Sequence, residues 1–146
     1  MISEKINTLV CSTIDAANGV WLAHVNSDSN NAWYSTHLMF GDLYDYLIGT
    51  VKDKAGEFNR QLGNLVISNS QNVTRGTVFE EYPYDLSLNE HLIEVEARLA
   101  DLLEMVSELA TLCSSENLVA GNNLFSGLAE GLSIWRWKIA SCIEMA

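Results

Sequence analysis

Along the first part of the chain Ile6, Leu9, Val10, Thr13, Ala17, Trp21 and His24 recur at steps of three and four, the spacing of one helix face. The pattern predicts a helix from about Ser3 to Val25, followed by a polar loop from Asn26 to Asn31. His37, Phe40, Tyr44, Leu47, Val51, Ala55, Phe58 and Leu62 then keep the same rhythm. A second helix is expected from about Ala32 to Leu62, roughly 45 Å long by the helical rise. The third begins at Ser87-Leu88-Asn89-Glu90, a capping box in which hydroxyl and carboxylate take up free backbone N–H groups, and continues to about Cys113. The fourth runs from near Asn123 to Glu144 on the stripe Leu124, Leu128, Leu132, Trp135 and Ile139. Each helix has one apolar face, and four such faces are buried most economically in a four-helix bundle.

The connection between the second and third helices, Gly63 to Leu86, is far longer than the two to eight residues that usually join antiparallel neighbours. It can travel the full length of the bundle and still fold a short helix, for which the apolar run Leu65-Val66-Ile67 is the candidate. One long crossover between helices two and three is the ferritin-like arrangement. The expected fold class is therefore all-α, which agrees with a lone proline, Pro83, and the lack of alternating apolar and polar runs.

A chain of 146 residues with 48% hydrophobic content suits a single domain, residues 1–146. It has no apolar run long enough for a membrane span and no signal-peptide pattern at its start, so a cytoplasmic protein without a membrane partner is expected. Cys11, Cys113 and Cys142 lack paired spacing and read as buried, reduced thiols. Eight basic residues against 19 acidic ones give a net charge of −11, which opposes phosphate attraction; direct DNA binding is not expected. The acids gather between Glu80 and Glu116, where Arg98 is the lone base, and that half of the chain should attract cations.

Histidine together with carboxylate is what a protein needs to hold iron, and His24, His37, Asp53 and Glu57 supply both. The segment His37-Leu-Met-Phe-Gly-Asp-Leu-Tyr-Asp-Tyr-Leu resembles the start of the second helix of the Dps family, the mini-ferritins. Leu124-Phe-Ser-Gly-Leu-Ala-Glu, followed by Trp137-Lys-Ile-Ala, resembles that family's last helix. With helix order and lengths the likeness covers most of the chain. It implies a homo-oligomeric shell, usually of twelve subunits, that oxidises ferrous iron and stores it as ferric mineral, which protects the cell against oxidative damage. The implied activity is ferroxidase and the implied cofactor non-haem iron. Two histidines would come from one subunit, and an aspartate and a glutamate four residues later from its neighbour, here His24 and His37 with Asp53 and Glu57. Carboxylates favour the harder ferric state, while imidazoles hold ferrous iron.

The spacing departs from the family at two places. His24 to His37 is one residue longer, which the loop between them absorbs. His37 to Asp53 is also one longer, and an extra residue in a helix rotates all that follows by about 100°, so that the family's carboxylate positions fall on Lys52 and Gly56. A single-turn π-bulge restores the register, with Gly49 a suitable place.

Other readings stand beside this one. A histidine on an apolar stripe often serves as a hydrogen-bonded core or interface residue, and Asp53 and Glu57, flanked by Lys52 and Lys54, fit a salt-bridged helix face. His91, next to Glu90 in a capped first turn, is expected at the surface. Glu90, Glu94, Asp101, Glu104 and Glu108 form an acidic stripe that would line a cavity or inlet pore in a shell, or be a solvated face. Gly49 and Gly56 share a helix face and suggest a subunit contact. The alternative to a ferroxidase is a non-catalytic ferritin-like assembly or interaction protein without an iron site.

Overall fold

The computed structural model describes residues 1–27 and 33–143. Helix α1 spans Ile2–Asn26. The second long helix is unbroken from Trp33 to Gln61, yet is made of three parts: α2 (Trp33–Tyr46), a π-helical turn (Leu47–Lys52) and α3 (Asp53–Gln61). A short α4 (Ser70–Gly76) lies in the connector, and α5 (Leu88–Ser115) and α6 (Val119–Cys142) complete the bundle. No strand occurs among the described residues. The expected loop and helix start at positions 28–32, and the expected helix end at position 144, lie outside them.

Side-chain contacts fix the direction of each helix. Asn59 reaches Asn7, so the second long helix runs antiparallel to α1. Lys5 pairs with Glu108 at 2.8 Å, so α5 also ends beside the start of α1. The second and third long helices are therefore parallel, and the connector must climb the whole bundle. Glu96 pairs with Arg136 and Phe58 meets Phe125 edge-on, which sets α6 antiparallel to both. Phe40, Leu43, Leu99, Leu102, Phe125, Leu132 and Ile139, among others, are fully buried in the shared core.

The connector climbs α1 residue by residue. The Asn7 carboxamide donates to the Leu65 carbonyl at 3.2 Å and accepts from the Ile67 N–H at 3.3 Å, which holds Leu65, Val66 and Ile67 as extended chain. The helix expected at these residues forms instead three residues later, as α4, where Asn69 caps its start. Higher up, Ser12 Oγ accepts from the Val78 N–H, and the Thr77 hydroxyl donates to Asp15. At the top the Tyr82 ring lies on Gly19, where a Cβ would come within 2.5 Å of Tyr82 Cδ2. Cys11 and Cys113 are buried as expected, whereas Cys142, in the last turn of α6, is exposed.

The π turn follows from the burial pattern. Leu43, Leu47, Val51 and Ala55 are each fully buried at successive steps of four. In a regular α-helix three such steps drift by about 120°, and the extra residue of a π turn takes back about 100°. Gly49 sits within the turn, with open space where a Cβ would be.

Deleting Gly49 should convert the π turn to regular helix and leave α2 and α3 in their present registers, with the thermal midpoint unchanged or raised. Deleting Ala100 from the regular α5 should turn Leu102, Val106 and Leu109 off the core and cost more than about 4 kcal/mol; paired thermal melts check both. The capping box of α5 is present in full, and Ser87→Ala should cost about 1 kcal/mol. Hydrogen bonds from the Ser87 backbone and side chain hold the Glu90 carboxyl below its ordinary range. That contribution is present above the ordinary carboxylate pKa and fades as pH falls through the lowered one, so Ser87→Ala should flatten the acid limb of a stability–pH curve.

Candidate metal centre

His24 lies in the last turn of α1, where carbonyls have no partner within their own helix, and His37 lies early in the antiparallel α2. His37 Nδ1 is 2.7 Å from the His24 carbonyl, and His24 Nδ1 is 2.6 Å from the His37 carbonyl. A carbonyl can only accept, so each Nδ1 carries a proton and donates. The rings stack with centroids 3.8 Å apart and planes 14° from parallel. Trp33, one turn before His37, extends the stack at 4.8 Å. Gly41, one turn after, leaves room for it: a Cβ there would meet His24 Cε1 at 3.2 Å.

Both histidines are half-buried, and neither Nε2 is engaged by another described residue. An imidazole whose Nδ1–H is tied to a backbone carbonyl presents its Nε2 lone pair in a fixed orientation, the state in which histidine holds a first-row metal. Two such nitrogens are half of a coordination shell.

Among the described residues no carboxylate joins them to complete a metal-binding group. Asp53 and Glu57 lie on successive turns of α3, both exposed, and Asp53 is 3.4 Å from Lys52. Asp53 lies sixteen helical steps beyond His37, a rise of roughly 24 Å. Among the described residues no three His, Cys, Asp or Glu side chains gather closely enough to hold a metal ion. The π turn decides where the carboxylates point: it removes about 100° of rotation between His37 and Asp53 and gives Asp53 and Glu57 the facing that the one-residue-shorter Dps interval would give them.

Trp33 and Gly41 were not singled out in the sequence as partners of the histidines, although each stands four residues from His37. His91, expected at the surface, is instead fully buried beneath Tyr82, because the connector folds back over the first turn of α5. The acidic stripe of α5 is largely occupied with structure: Glu90 caps the helix, Glu94 holds Arg98 at 3.1 Å and Glu108 holds Lys5. Gly49 and Gly56 do not form one open face, since Val66 of the connector lies 3.6 Å from where a Gly56 Cβ would be.

No protein-family model matches the sequence, and no curated protein matches it. Solved structures do. A Dps protein from Bacillus brevis superposes with a TM-score of 0.91 at 17% identity, covering 98% of this chain and 95% of that one. Antigen TpF1 from Treponema pallidum gives 0.92 at 13% identity over 99% and 92%, and Dps from Listeria monocytogenes 0.90 at 15% over 96% and 91%. Agreement this close along nearly the whole of both chains, at such low identity, speaks for the fold: this chain has the four-helix bundle with a long crossover found in the Dps structures.

Proposed function

We propose that this protein binds ferrous iron, oxidises it and stores the ferric product inside a shell of its own copies, with His24 and His37 of one subunit and Asp53 and Glu57 of a paired subunit as the ligands. The observation that carries the reading is the His24–His37 pair, with both Nδ1 protons committed to backbone carbonyls and both Nε2 lone pairs left over. Half-sites of this kind are incomplete within one chain, and a two-fold pairing of subunits supplies each with the other's carboxylates. The π turn at Leu47–Lys52 supports the assignment, because it corrects the register of the carboxylate pair.

Ferrous iron is the substrate. The imidazole nitrogens suit the ferrous ion as it arrives, and the carboxylates stabilise the harder ferric ion as it forms, so the ligand set favours oxidation. With peroxide as oxidant, two ferrous ions each give up one electron and the peroxide takes up protons to leave as water. No hydroxyl radical is released by that two-electron route, which is how such a protein would protect its cell. Among the described residues no helix is long and apolar enough to cross a membrane, in keeping with a shell free in the cytoplasm. At a net charge of −11 each subunit repels a phosphate backbone, so DNA association would need bridging cations.

One observation favours the second reading, an assembly protein without an iron site: Asp53 is already paired with Lys52, and the stacked histidines fasten α1 to α2 whether or not a metal binds. Anaerobic ferrous titration followed by peroxide separates the two. The native protein should bind iron stoichiometrically and oxidise it rapidly. His37→Ala and Asp53→Ala should each weaken ferrous binding by at least about 10- to 100-fold with particle size by light scattering unchanged. No binding in the native protein, with a defined oligomer still present, would leave only the assembly role.

A further inference from the structure

Away from the histidine stack, Tyr82 and His91 form a second aromatic pair. The Tyr82 hydroxyl is 2.7 Å from His91 Nδ1, and the rings are within 10° of parallel. Tyr82 is 6% exposed and His91 fully buried. The hydroxyl has no other partner among the described residues, so it donates its proton to Nδ1. The Arg98 guanidinium lies 5.0 Å from the Tyr82 ring centre and 4.8 Å from that of Phe79; Glu94 and the Glu80 carbonyl hold it there.

We infer that Tyr82 and His91 act together as a proton-coupled one-electron donor, a buried radical sink for oxidants that escape the two-electron route. In the step, an electron leaves the Tyr82 ring for a one-electron oxidant of the hydroxyl-radical class, the phenolic O–H bond breaks and an Nδ1–H bond forms on His91. The products are a neutral tyrosyl radical, an imidazolium and the reduced oxidant, and return of one electron from a reductant such as ferrous iron reverses the proton shift. The source of oxidant, ferrous iron meeting peroxide, rests on the function proposed above.

The environment selects this coupled route over its alternatives. Loss of the proton first is disfavoured, since burial and the charge of Glu94 push the phenol up, with Arg98 opposing more weakly. Loss of the electron first would leave a cation beside Arg98 in a buried site, an arrangement that low dielectric penalises. Moving the proton along a 2.7 Å hydrogen bond as the electron departs avoids a buried phenolate and leaves the positive charge on the imidazole, a far stronger base than the oxidised phenol. Burial keeps solution reactants from the radical. Contact with Gly19 puts the Tyr82 ring on α1, five residues before His24 and so roughly 7.5 Å along the helix axis, near enough for electron exchange with that centre.

The test uses the intact protein without iron, so it succeeds or fails apart from the iron reading. Flash-generated tris(bipyridine)ruthenium(III) serves as the oxidant, with optical and EPR detection of tyrosyl radical. The native protein should form a long-lived radical that is missing in Tyr82→Phe, a variant that keeps the ring on Gly19. Its formation should slow in deuterated water, and in His91→Gln by on the order of 100-fold, the lower range for a positioned base. The solvent effect is read on the native chain, so it stands even if His91→Gln fails to fold. Equal radical yield and lifetime in Tyr82→Phe would overturn the assignment to Tyr82. A Tyr82 radical formed with no solvent isotope effect would overturn the coupling to His91.

Discussion

Two imidazoles that each donate to the other's backbone carbonyl are the interaction from which the rest of this structure can be measured. The bonds close one end of the bundle, where the last turn of α1 has unpaired carbonyls and α2 begins. They also settle the tautomer of both rings. Distances along the second long helix are counted from this point, and the π turn is what brings that count into agreement with the carboxylates of α3. The proposed site combines two histidines at one end of a helix with two carboxylates a helix-length away, and so requires a second copy of the chain.

The parallel run of the second and third long helices is the other constraint. It obliges the chain to cover the length of α1, and the connector does so on hydrogen bonds to Asn7, Ser12 and Asp15 more than on apolar burial. Its end, Tyr82, is the part that enters the core, admitted by the missing side chain of Gly19. The crossover thus carries a redox-capable phenol onto α1, the helix that also bears His24.

Much of this was legible because it is local. Helix faces follow from spacing, and the α5 capping box from four consecutive residues, Ser87 to Glu90. The crossover follows from length alone, and Gly49 marked the π turn once the interval from His37 to Asp53 was compared with the Dps pattern. What could not be read depends on contacts between distant segments. The stacking of His24 on His37 spans a loop, and no periodicity reports it. His91 is buried by a tyrosine nine residues earlier that folds back over it, although it follows Asn89 and Glu90 in a capped first turn. Leu65, Val66 and Ile67 look like a helical turn by composition but are held extended by one asparagine side chain on α1. Gly56 is matched to Val66 within the chain rather than reserved for a partner.

The central claim is that each iron site takes its histidines from one subunit and its carboxylates from another, and subunit complementation tests it most directly. His37→Ala and Asp53→Ala chains, each inactive alone, would be unfolded, mixed in equal amounts and refolded together, and ferrous oxidation measured. In a two-fold pair, a mixed dimer regains one of its two sites, so random pairing should restore about one quarter of native activity. No activity in the mixture, with mixed dimers verified by mass, would contradict the shared site.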